Sequence, residues 1–131
     1  MDIVVMDTTH LIFVAFVALL VKHYVFDFYY QPPYQWRNKG TYGHPGGIIH
    51  SLQHAIPSAF IFACLGVNAV IVIGITIFEF VAHYHIDWAK MNINKHYGYG
   101  PNTHEEFWQL LGADQLAHHV CYALMIYWAF L

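Results

Sequence analysis

The chain has 131 residues, 58% hydrophobic and only 10% charged, with a mean hydropathy of +0.41 and a formal net charge of −3. Soluble domains carry about a quarter of their residues as charges, so this composition excludes an ordinary water-exposed surface. The small acidic excess also excludes a nucleic-acid partner, which would need a basic face.

A helix needs about 20 apolar residues to cross a bilayer core. In chain order, the first such run covers about residues 9–30. The stretch from Ile48 to Asp87 is too long for one span, and Gly66-Val67-Asn68 is its natural turn, giving spans at about 48–65 and 69–88. Pro57 frees the Gln53 carbonyl and predicts a local kink. The last span covers about 109–131, and Thr103 followed by Glu106 predicts a capping box before it. The expectation is a single all-α domain, residues 1–131: an integral membrane four-helix bundle of two helical hairpins. No basic n-region or small-residue cleavage pattern suggests a signal peptide. Cys64 and Cys121 lie in apolar runs without C-x-x-C spacing, so packing is their expected role.

Both long connections fall on one side of the membrane. All five basic residues (Lys22, Arg37, Lys39, Lys90 and Lys95) lie in them or at the adjoining helix ends, whereas the N-terminus carries Asp2 and Asp7. The positive-inside rule then places the loops in the cytoplasm and both termini outside.

Polar residues within the spans recur at a four-residue spacing, which puts each pair on one helix face. His23, Asp27 and Gln31 end the first span, and His50 and His54 begin the second. Glu79, His83 and Asp87 end the third, and Asp114, Gln115 and His118 begin the fourth. Because the helices alternate in direction, these sets share one depth. At about 1.5 Å per residue they lie roughly 18–25 Å from the outer ends, in the cytoplasmic third of a core of about 30 Å. Eight inward His and Asp side chains need partners there. Divalent metal meets that need, with His23, Asp27, His50, His54, His83, Asp87, Asp114 and His118 as ligands for two ions of zinc, manganese or iron. Gln31 and Gln115 are expected to orient ligands. Glu79, one turn deeper, is the candidate catalytic carboxylate, with a simple hydrogen bond as its alternative role. A metal-free hydrogen-bond network is the alternative for the whole cluster. His10, His44, His85, His96, His104 and His119 are expected at exposed or interfacial positions. The loop Tyr97–Pro101 reads as an interfacial anchor or a lid. An echo between "NKGTYG" and "NKHYG", each following H-x-x-x-D, raises a pseudo-twofold relation between the hairpins.

These motifs (H-x3-D-F-x2-Q, then Lys39, H-x3-H, H-x3-D and D-Q-x2-H) resemble a family of domains of unknown function, number 3307, of small bacterial and phage membrane proteins. The resemblance covers nearly the whole chain. It implies the same multi-pass fold in a bacterial inner membrane and leaves the function open.

Three functions fit this pattern. A two-metal hydrolase would act on a lipid-linked or amphiphilic substrate at the cytoplasmic face, with Arg37, Lys39 or Lys90 steering an anionic head group. The alternatives are a di-iron or di-manganese redox enzyme, and a non-enzymatic metal-stabilised module or phage–host interaction protein. Mixed Asp and His ligands favour hydrolysis, and membrane lipid is the expected surrounding partner.

Overall fold

The computed structural model describes residues 6–131, so the expectation for Asp2 lies outside the described residues. Those residues form helices and no strand. Helix α1 (Thr8–Tyr24) runs on into a π-helical turn, Val25–Tyr29. A short α2 (Pro33–Trp36) follows, then α3 (Pro45–Cys64), α4 (Ala69–Tyr97) and α5 (Glu105–Phe130). Three stretches, Thr8–Tyr29, Pro45–Cys64 and Ala69–Tyr97, are long and apolar enough to cross a membrane. Helix α5 matches them in length but falls short in apolar character, with Asp114, Gln115, His118 and His119 set within its apolar run.

Local chemistry sets most boundaries. Asp7 caps α1 by accepting the His10 amide, and Asn68 caps α4 by accepting the Val70 amide. Between α3 and α4 the expected turn is present. Gly66 takes φ +79°, with open space where a side chain would stand. Gly66→Ala therefore meets no clash and is opposed by the backbone alone. It is expected to lower stability by about 1–2 kcal/mol, read as the unfolding midpoint in a denaturing-detergent titration.

Two boundaries differ from expectation. Helix α4 runs nine residues past the expected end at 88, because no Gly or Pro interrupts it before Gly98. Asn92 ties this extension back, donating to the Trp88 and Gly40 carbonyls at 2.7 and 2.9 Å. The capping box is also absent. Thr103 is spent in the turn after Pro101, donating its amide to the Gly100 carbonyl, so α5 starts at Glu105 behind His104. The two halves of the sequence echo adopt unlike structures. Asn38-Lys39 lies in a turn after α2, whereas Asn94-Lys95 belongs to the last turn of α4. Helix α3 continues through Pro57.

Helix α3 packs on α4, α4 on α5, α5 on α1, and α1 on α3. The interior is layered. Ala15, Leu19, Phe62, Ile75, Tyr122, Met125 and Ile126 form an apolar cluster. One turn towards the long loops come Lys22, Ser58 and Glu79, and then the buried histidines and aspartates. Meanwhile large apolar side chains such as Phe13, Phe60, Val70 and Ile73 point outwards, each at least 60% exposed. A polar interior under an apolar exterior suits lipid as the surrounding solvent.

Candidate metal centre

Asp27 stands in the π turn, where the Tyr30 amide donates to the Val25 carbonyl five residues back at 2.6 Å. Such turns widen a helix locally and recur at functional sites. The Asp27 side chain is 4% exposed and reaches three helices. Its Oδ1 lies 3.1 Å from Nε2 of both His50 and His54, and 3.8 Å from Nε2 of His83. Its Oδ2 lies 3.2 Å from His23 Nε2. Across the cluster, Asp87 Oδ2 lies 3.2 Å from His50 Nε2 and 3.4 Å from His83 Nε2, while Asp87 Oδ1 lies 3.4 Å from His118 Nε2. Asp114 Oδ1 is 3.5 Å from His118 Nε2.

Two sets of donor atoms could therefore each hold a metal ion: Asp27, His50, His54 and His83, and then His83, Asp87 and His118. Two ligands at 2.0–2.1 Å from one ion at a tetrahedral angle sit about 3.3 Å apart, which matches most of these separations. Hydrogen-bond directions are poorly met, however. His54 Nε2, His118 Nε2, both Asp87 oxygens and Asp114 Oδ1 are buried without a hydrogen-bond partner. Buried polar atoms rarely go unpartnered, and a close group of unpartnered nitrogen and oxygen atoms is what a cation would use.

The two glutamines meet the ligands. Gln115 Oε1 lies 2.7 Å from His23 Nε2, and its Nε2 donates to Asp114 Oδ2 at 3.1 Å. Gln31 Nε2 donates to Asp27 Oδ1 at 3.4 Å and lies 3.2 Å from His50 Nε2. His23 turns its Nδ1 to the Tyr122 hydroxyl at 2.9 Å.

The lysines depart from expectation. Lys22 is not an interfacial residue but is buried, ion-paired with Glu79 and donating to Ser58 Oγ and the His54 carbonyl. Glu79, expected as the catalytic carboxylate, thus has a cation from another helix and does not border the cavity described below. Lys39, expected to steer an anionic head group, is 6% exposed and lies 3.1 Å from Asp87 Oδ2. Burial disfavours its charge, but Asp87, Asp27 and Asp114 outweigh that and raise its pKa above the ordinary lysine value. Lys90 lies 3.7 Å from Asp114 Oδ2. Arg37 is exposed over the Trp36 ring, away from the centre.

The part played by Ser58 and Tyr122 was not anticipated, although they extend the four-residue stripes of His54 and His118 by one turn. Of the remaining histidines, His10, His85, His96 and His104 are exposed, and His44 and His119 half-buried. His85 bonds the Tyr42 hydroxyl at 3.0 Å, and His44 accepts the Gly46 amide at the start of α3. Cys64 and Cys121 are both free.

A cavity of about 330 Å³ meets the centre at its loop-bearing end. Asp27, Asp114, Lys39 and Lys90 border it, beside a wall that includes Phe28, Trp36, Phe107 and Leu111. Fold and site together define, over the described residues, an all-helical protein with three helices long and apolar enough to cross a membrane and a buried His/Asp centre that could hold metal. Residues 15–131 match the family described as "Protein of unknown function (DUF3307)", and the chain belongs to that family. No curated protein and no solved structure matches it.

Proposed function

We propose that the protein is a four-span membrane hydrolase whose two divalent ions act on a lipid-linked or amphiphilic substrate, at the cytoplasmic face of a bacterial inner membrane. The observation that carries this reading is the cavity, because it joins the ligand cluster to a wall of aromatic and aliphatic side chains. A site with one ionic end and one apolar flank fits a substrate with a polar, cleavable head and a hydrocarbon body. His83 belongs to both donor sets, and one ring nitrogen serves one ion. The donors then divide as Asp27, His50 and His54 against His83, Asp87 and His118. Three protein ligands per ion leave a position for water or substrate.

Ions so held supply Lewis acidity and an activated water. The chain's own groups do the rest. Gln31 and Gln115 fix the ligand carboxylates, Lys90 draws an anionic head group, and Phe28, Trp36 and Phe107 hold the apolar part. Helix α5, with Asp114 and His118 turned inwards, completes the span set. Four of the five basic residues, Arg37, Lys39, Lys90 and Lys95, lie at the loop end and support the cytoplasmic placement.

A metal-free network is the second reading, supported by the three lysines that stand beside three of the four buried carboxylates. Metal analysis of detergent-purified protein separates the two. The hydrolase reading expects about two equivalents of zinc, manganese or iron, falling to about one in His83→Ala with Asp87→Ala. It also expects release of a head group from amphiphilic phosphate or carboxylate esters, dependent on that metal. A metal-free wild type, or content indifferent to the double substitution, would overturn it.

A further inference from the structure

The buried charges of the centre are not evenly met. Glu79 has Lys22, Asp87 has Lys39 and Asp114 has Lys90, but no lysine lies within ion-pair distance of Asp27. Asp27 has only histidines and the two glutamines, and its oxygens have hydrogen bonds. Around Asp87 the opposite holds. Charge is balanced by the Lys39 ammonium, yet both Asp87 oxygens, Asp114 Oδ1 and His118 Nε2 are buried and without hydrogen bonds. The ammonium stands beside Asp87 Oδ2, off the line that a hydrogen bond would need.

Lys39 is brought there by construction. The segment after α2 lies so close to the start of α3 that a side-chain carbon on Gly47 would stand 3.1 Å from the Lys39 Cα, and one on Gly46 would meet the Tyr34 carbonyl. The glycine pair ahead of His50 thus has a role, which is to let the Lys39 backbone pack against α3. From this position the same side chain also borders the cavity.

We propose that Lys39 is the built-in second cation of the centre, its ammonium beside Asp87 Oδ2 balancing the His83, Asp87 and His118 set until a second divalent ion displaces it into the cavity. The inference rests on the metal reading given above. The Asp27 set takes the first ion, since its carboxylate has no other cation. The second set is preformed but charge-balanced, so an incoming ion must expel a cation already paired with Asp87. Displaced, Lys39 gains a free ammonium beside the substrate's polar head, which couples loading of the second ion to binding of an anionic group.

The test is a zinc titration of the detergent-solubilised full chain, with bound metal counted by mass spectrometry. Wild type is expected to bind two equivalents in separate steps, the second weaker by at least about tenfold. Lys39→Met and Lys39→Gln are expected to bring the second step up to the first, and Lys39→Arg to leave it weak. Two equal steps in wild type would overturn the inference and leave the metal reading standing. A second step no tighter in both neutral variants would also overturn it, and a wild type that binds no zinc would overturn both. Should the neutral variants be lost from the membrane, the wild-type isotherm decides alone: two separated steps support the inference, and anything else refutes it.

Discussion

Asp27→Asn is expected to strip the centre of its tightly held ion while the helices stay assembled. Asparagine keeps the size and planarity of the side chain but loses the charge and one acceptor oxygen. Asp27 Oδ1 is the point on which His50, His54 and His83 converge, from α3 and α4. No other carboxylate in the centre lacks a lysine within ion-pair distance. Losing an outer partner of a metal ligand costs about 10–100-fold in affinity, and losing this ligand should cost more than about 100-fold. The tightly bound equivalent of zinc should disappear from the mass-spectrometric count, leaving only the weaker one, and far-ultraviolet circular dichroism should not change. A metal-free network makes the opposite forecast, since the substituted amide could still bond to imidazoles and only stability would suffer. Unchanged zinc content would remove Asp27 from the ligand set.

The legible part of this centre is the part that rests on helix geometry. His23 and Asp27, His50 and His54, and His83 and Asp87 are each four apart, and alternating helix directions bring the pairs to one depth. The structure accordingly brings Asp27, His50, His54, His83, Asp87 and His118 together from all four long helices. What the sequence hides is what depends on packing between segments far apart in the chain. Lys22 reads as an end-of-helix cation until α4 brings Glu79 against it. Lys39 reads as a loop lysine until Gly46 and Gly47 let its segment settle on α3. The π turn at Asp27 has no local signature in "VFDFYYQPP", since a brief run of i to i+5 bonds adds nothing to the pattern of apolar residues. Helix ends are obscured for a related reason. Thr103 has the right residue type for a cap, but the Gly100-Pro101 turn claims its backbone first.

The Lys22–Glu79 pair should behave as a structural unit separate from the centre, and Lys22→Met alone is expected to be severely destabilising. Both side chains are under 5% exposed. Removing one partner strands a buried charge, at a cost of about 3–5 kcal/mol, whereas replacing both with apolar groups of similar volume is often neutral. Lys22→Met combined with Glu79→Leu should therefore recover most of the unfolding midpoint lost in the single variant, measured in a denaturing-detergent titration. The remaining loss would reflect Ser58 Oγ and the His54 carbonyl, which give up the Lys22 donor. Zinc content of the double variant should equal that of wild type, because the pair lies one turn from the ligand atoms and only the ligands touch the ion. Turnover then decides the role of Glu79. If the carboxylate only neutralises Lys22, the double variant keeps its zinc and its activity. If Glu79 carries a proton for the reaction, the same variant keeps its zinc and falls silent. Loss of zinc from the double variant would make the pair part of the metal centre itself.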